Sequence, residues 1–166
     1  MPRIGLLSDT HGYLDPKIFD HLAACQEIWH AGDFGSPQVS HRLSEFRPLK
    51  GVYGNIDGHE LRKIHPLHQK FTCGGLRIWI THIGGYPGNY PKIISQDFAN
   101  NPVDLFICGH SHILKIMRDK VHNDLLHINP GAAGLEGFHQ VRTMVRFDIT
   151  DSKIEHVEVI ELGKRG

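Results

Sequence analysis

A chain of 166 residues, 40% hydrophobic and 22% charged, has the size and make-up of one globular domain spanning residues 1–166. Its 18 Lys and Arg balance 18 Asp and Glu, which argues against a protein that holds nucleic acid mainly by neutralising phosphates. No apolar run nears the roughly 20 residues that span a bilayer, and the N-terminus lacks a signal-peptide pattern. Three cysteines, Cys25, Cys73 and Cys108, form no C-x-x-C pair. A disulfide framework and a thiolate zinc site are therefore not expected, and the expectation is a cytoplasmic protein with reduced thiols and no membrane contact.

The predicted elements alternate. Arg3 to Ser8 reads as a buried first strand running into Asp9. Apolar residues at Ile18, Phe19, Leu22 and Ala23 have helical spacing, with Asp15 as a cap ahead of Pro16. Glu27 to His30 is a second strand leading to Asp33, and Ser36-Pro37 opens a second helix reaching about Phe46. Leu49 to Gly54 is a third strand ending at Asn55. This β-α-β-α-β order predicts neighbouring parallel strands joined by right-handed crossovers.

The second half is richer in strands. Leu76 to Thr81 alternates and runs into His82, residues 91 to 99 look helical, and Val103 to Cys108 leads to Gly109-His110. Residues 113–118, 124–128, 142–149 and 153–160 read as hairpin strands. Two sheets packed face to face with helices outside accommodate the pattern.

Small polar clusters follow five of these strands: Asp9-Thr10-His11, Gly32-Asp33, Gly54-Asn55, Thr81-His82 and Gly109-His110-Ser111-His112. Taken singly, each has a plainer explanation. An Asp or Asn at a strand end commonly caps a turn, and a single His is commonly just a hydrogen-bonded polar group. Taken together they converge, because ligands of open α/β sheets bind beyond the carboxyl ends of the strands. Two carboxylates, one amide oxygen and four imidazoles make a mixed N/O donor set. That set suits transition metals better than Ca²⁺. Two such ions can clamp a phosphoryl group and acidify a water between them.

At these residues the sequence resembles the calcineurin-like metallophosphoesterase superfamily, and within it the small bacterial and archaeal phosphodiesterase branch that also includes the retromer cargo-binding subunit. The family pattern D-x-H, G-D, G-N, a strand-end H and G-H-x-H is filled from Asp9 to His112. The resemblance implies a four-layer α/β/β/α sandwich. It also implies that Asp9, His11, Asp33 and His112 hold one metal and that Asp33, Asn55, His82 and His110 hold a second, with Asp33 bridging. The implied ions are divalent, with Mn²⁺ first and Ni²⁺, Fe²⁺, Co²⁺ or Zn²⁺ as alternatives. The implied activity is phosphoester hydrolysis, of a diester by preference, in which a metal-bridging hydroxide attacks in line and Asn55 and His82 help hold the phosphate oxygens. The diester preference rests on the resemblance alone; a phosphomonoesterase needs the same core.

There are departures and alternatives. Where many members carry His after the Asn, this chain has Gly54-Asn55-Ile56-Asp57, so the general acid is unassigned. Asp57 either orients a ligand, donates a proton if burial raises its pKa, or braces its turn. Tyr86 and Tyr90, on the loop after His82, are candidates to stack on a substrate ring, or merely loop aromatics. Asn129-Pro130-Gly131 resembles a short family loop beside the site, or is a tight turn. The rival function is a non-catalytic protein-binding scaffold of the same fold. The partner expected is a small phosphoester, with nucleic acid entering only as a short or cyclic nucleotide, and a homo-oligomer is left open.

Overall fold

The computed structural model describes residues 2–166. The first half follows the predicted alternation as β1 (Arg3–Leu7), α1 (Pro16–Leu22), β2 (Glu27–His30), α2 (Pro37–Phe46) and β3 (Leu49–Gly51). Asp15 caps α1, its side chain accepting the Lys17 N–H, and prolines open both α1 and α2. Then come α3 (His59–Ile64), β4 (His68–Cys73), β5 (Leu76–Thr81), α4 (Lys92–Asn100), β6 (Leu105–Ile107), β7 (Lys115–Asp119), a short 3-10 turn, β8 (Leu125–Asn129), β9 (Val141–Thr150) and β10 (Lys153–Lys164).

The strands form two five-stranded sheets, ordered β10-β9-β1-β2-β3 and β4-β5-β6-β8-β7. β1, β2 and β3 are mutually parallel, as are β5, β6 and β8. Antiparallel hairpins finish the edges: β9 and β10 on one sheet, β7 and β4 on the other.

Strand alternation explains the layering. Ile4, Leu6, Trp29, Val145 and Phe147 face Ile78, Ile80, Leu105, Ile107 and Ile128 in a core between the sheets. The opposite faces of β1, β2 and β9, carrying Leu7, Ile28 and Met144, pack under Ile18 and Leu22 of α1, Leu43 of α2 and Leu61 of α3. On the far side Trp79, Phe106 and Leu125 meet Ile94 and Phe98 of α4. The result is the four-layer α/β/β/α sandwich.

Several boundaries differ from the sequence expectation. β3 stops at Gly51, and the chain from Val52 to Asn55 is an ordered turn outside the sheet. β6 covers only Leu105–Ile107. α1 closes at Leu22, short of Ala23, and β10 runs on to Lys164. α3 and β4 were not expected. α3 buries only Leu61, and β4 is an edge strand whose residues alternate between exposed and half-buried, so neither carries a strong periodic signal.

Candidate metal centre

All seven residues singled out from the sequence lie on the loops beyond one end of the two parallel strand sets, and the topology brings them to one place. Two groups emerge. Ligand atoms of Asp9, His11 and His112 lie within 4.8 Å of one another, and so do those of Asp33, His82 and His110. The groups touch: His11 Nε2 is 3.6 Å from Asp33 Oδ2, and His82 Nε2 is 3.8 Å from Asp9 Oδ1. The second Asp33 distance is shorter, 3.1 Å to His82 Nε2, so Asp33 stands between the two groups. Asn55 reaches the second through its Oδ1, 3.0 Å from His110 Nδ1.

The backbone is bent to achieve this. Asp9, His11, Asp33, His110 and His112 all adopt the left-handed conformation, with φ between 46° and 72°. Asp and His tolerate it better than most residues, yet it costs on the order of 1 kcal/mol or more each. Five such residues at one spot mark a site whose geometry the surrounding fold imposes. Close approach is also built in at Gly54, where an added Cβ would fall 2.0 Å from Asp33 Oδ1.

Buried polar atoms are ordinarily hydrogen-bonded, and an orphan needs an explanation. Asp9 Oδ1, His11 Nε2 and His82 Nε2 are buried with no hydrogen-bond partner. They are the atoms that face each other across the site. The other atoms of the same side chains are tied down. Asp9 Oδ2 accepts from the Ser8 hydroxyl at 2.6 Å and the His110 N–H at 3.1 Å. Asp33 Oδ1 accepts the Ile56 N–H. His82 Nδ1–H donates to the Ala31 carbonyl at 2.8 Å, leaving the Nε2 lone pair pointing into the site.

Charge follows the same logic. Burial would raise the Asp9 carboxyl, but the surrounding His11, His112 and His82 rings and the Ser8 hydroxyl outweigh it and hold Asp9 well below the usual carboxylate range. Burial would likewise lower His82, yet Asp33 and Asp9 raise it, and His11 is raised chiefly by the nearby Asp9 carboxylate. The site favours positive charge at its centre.

Residues 2–152 match the model of the calcineurin-like phosphoesterase superfamily domain. The chain belongs to the calcineurin-like phosphoesterase superfamily. A probable metallophosphoesterase of Methanothermobacter thermautotrophicus is 27% identical over 165 residues, covering 96% of this chain and 92% of that one. Among solved structures, an archaeal phosphodiesterase superposes with a TM-score of 0.75 at 24% identity, covering 96% of this chain and 99% of the other. Vps29 of Chaetomium thermophilum does so at 0.77 and 20%, covering 98% and 97%. At those identities the structural likenesses speak to the fold.

Within this superfamily domain, Asp57 plays a bracing role. One carboxylate oxygen accepts the Gly54 and Phe34 N–H groups at 2.8 and 3.2 Å, and the other accepts the Gly35 N–H at 2.9 Å. Its carboxylate thus ties the Asp33 loop to the Asn55 loop, and both of its oxygens are used in doing so. His59 is exposed in the first turn of α3. Tyr90 turns inward, its hydroxyl 3.0 Å from His127 Nδ1, whereas Tyr86 is 47% exposed. Asn129 supports the Gly109–His112 loop by donating to Gly109 O and Ser111 Oγ, while its Oδ1 takes the Gly131 N–H in a tight turn.

Two supporting residues were missed from sequence. His139 Nε2–H donates to the Gly134 carbonyl at 2.9 Å, which leaves its Nδ1 to accept from His112 Nδ1–H at 3.2 Å. That fixes the His112 tautomer with its Nε2 lone pair facing Asp9 Oδ1, 3.2 Å away. Glu136 Oε2 stands 3.4 Å from His11 Nδ1, close enough to pair with that ring when it is charged. Both lie on a loop some two dozen residues past the last motif, and only the fold brings them back. A third feature, the stack of His30 on Phe34 at 3.7 Å and Phe34 on His65 at 4.6 Å, forms a stiff floor under the Asp33 loop.

Proposed function

We propose that this protein is a phosphodiesterase that works with two divalent transition-metal ions. The single observation that carries this reading is the facing set of orphaned, buried ligand atoms, Asp9 Oδ1, His11 Nε2 and His82 Nε2, within two adjacent groups of metal-ligand type. An N/O donor set of two carboxylates and four imidazoles, without thiolate, fits such ions. Asp9, His11, Asp33 and His112 would hold the first and Asp33, Asn55, His82 and His110 the second. When bound, the two ions supply an acidified water and the positive charge that phosphoryl transfer requires.

The chain's own residues do the rest. Asp33, locked by the Ile56 N–H, sets the spacing between the two groups. Asn55 and His110 are the exposed members of the second group, so a phosphoryl oxygen approaching from solvent meets them first. Ser8 and the His110 N–H keep the Asp9 carboxylate oriented and ionised. An archaeal phosphodiesterase of the same fold makes a diester the first substrate to try, and Mn²⁺ is the first ion to add.

The test is hydrolysis of bis-p-nitrophenyl phosphate by metal-stripped protein, with and without Mn²⁺, beside Asp33→Asn. Turnover that needs added metal and falls about a thousandfold in the variant is the expected result. Folded protein that turns over nothing with Mn²⁺, Ni²⁺, Co²⁺, Fe²⁺ or Zn²⁺ would overturn the diesterase. Activity on p-nitrophenyl phosphate alone would then identify a monoesterase, and no activity on either would leave the protein-binding scaffold.

A further inference from the structure

The geometry points to a subsite for an anionic, ring-bearing substituent of the substrate, in the pocket between the Gly85–Tyr86 loop and β7, with Lys115 and Ser111 as its selecting groups. This rests on the phosphoester reading above and adds the chemistry of the group that flanks the scissile phosphorus.

The pocket is walled by segments that continue directly from two of the candidate metal-centre loops, although none of the seven candidate ligands lines it. Gly85 and Tyr86 belong to the loop that follows His82, and Ser111 lies between His110 and His112. Its volume is about 240 Å³, below the range of pockets that enclose a whole drug-sized ligand. It therefore suits one substituent and not an entire substrate. The floor is apolar, formed by Tyr86 and Ile113, which are 47% and 62% exposed.

The polar groups around that floor are unspent donors. Ser111 Oγ accepts from the Asn129 amide at 3.1 Å and from the Ile113 N–H at 3.2 Å, so its own O–H is left to donate. Lys115 Nζ hangs 5.3 Å from the Tyr86 ring centroid. Among the described residues no carboxylate lies within 4.0 Å of that ammonium, although six other Lys and Arg side chains have found one. No Asp or Glu lines the pocket. The remaining polar atoms are committed: Asn129 donates twice and accepts once, and His127 faces the Tyr90 hydroxyl and the Cys108 thiol. An apolar slot with one ammonium, one hydroxyl donor and no acidic side chain selects a ring that carries negative charge. The Tyr86 face supplies the platform, and Lys115 and Ser111 take the anion.

The test pairs two diesters with the same leaving group, phenyl p-nitrophenyl phosphate and 4-carboxyphenyl p-nitrophenyl phosphate, in the full chain with Mn²⁺. Beside it, calorimetric binding of phenylphosphonate and 4-carboxyphenylphosphonate, in Mn²⁺ and again in EDTA, needs no turnover. The wild-type protein is expected to favour the carboxylated member of each pair by about five- to tenfold, the size of one partly exposed charge pair. Lys115→Met, which keeps the stem and removes the charge, should abolish that preference and leave the phenyl compounds within about twofold. Tyr86→Ala should weaken both members alike. Equal affinities in the wild-type protein, or a preference that survives Lys115→Met, overturns the subsite. Absence of turnover with every metal while the affinity difference stands overturns the diesterase and keeps the subsite.

Discussion

Asp57 shows how much of a site can hang on a residue that touches no ligand. Its carboxylate receives three backbone N–H groups from two loops, and it is only 3% exposed. Truncation to Ala would strand two buried donors, Phe34 and Gly54 N–H, each costing about 1 kcal/mol or more, and the more exposed Gly35 N–H. Asp57→Ala should lose about 2–4 kcal/mol of stability in urea melts and bind metal at least about tenfold more weakly. Asp57→Asn keeps the shape but turns one acceptor into a donor facing N–H groups, so it should recover little of the loss. A variant as stable as the wild type would mean the brace is not needed. The seven candidate ligands were legible in the sequence because each sits in a short pattern beside a glycine or a strand end. A bracing role for Asp57 was one reading of its turn, but its reach to the Asp33 loop was not legible, nor were the roles of Glu136 and His139. They depend on hydrogen bonds between segments far apart in the chain, and no local spacing encodes those.

Among the elements, the loops after the strands matter more than the strands. Strand positions were legible because alternation of apolar residues is the direct signature of a two-faced sheet. The loops were legible only as composition, and their left-handed turns at Asp9, Asp33 and His110 emerge from packing. Gly54 is the sharpest case. A Cβ there would meet Asp33 Oδ1 at 2.0 Å and the Asp33 backbone N at 2.4 Å; the second is backbone, and the first belongs to a carboxylate held by the Ile56 N–H. Gly54→Ala should therefore displace Asp33 and cut metal affinity by at least about tenfold. The two cores flanking the first sheet stay intact, so the far-ultraviolet circular dichroism should not change. Calorimetric titration of Mn²⁺ into the stripped variant checks this, and wild-type affinity would refute the close-packing explanation. The same scale shows why α3 and β4 escaped notice. Both are short, α3 burying only Leu61 and β4 no side chain fully, at the margin of the sandwich, where tertiary contacts and not periodicity decide the conformation.

For the whole molecule, the four layers bury histidines as neutral structural groups apart from the centre, and this gives the fold a direction of pH sensitivity. His127 of β8 is fully buried against Tyr90, Phe106 and Cys108, where burial, with Lys115 adding to it and Asp119 opposing it, holds its pKa at about 4. The ordinary value is 6.5. Between those two values the unfolded chain binds a proton that the folded chain does not. Stability is therefore full above about pH 6.5, falls as the pH drops from there, and stops falling below about pH 4. One fully buried imidazole with such a shift is worth about 2–3 kcal/mol. The candidate ligands His11 and His82 shift the other way in metal-free protein, so the total pH profile mixes signs and the informative quantity is a difference between variants. Gln at position 127 can still accept from the Tyr90 hydroxyl and face Cys108, but it cannot take a proton. In EDTA, urea melts of wild-type and His127→Gln protein at pH 7.5 and pH 4.5 should show the variant losing about 2 kcal/mol less on acidification. Equal losses would mean that protonated His127 finds a partner or solvent without unfolding.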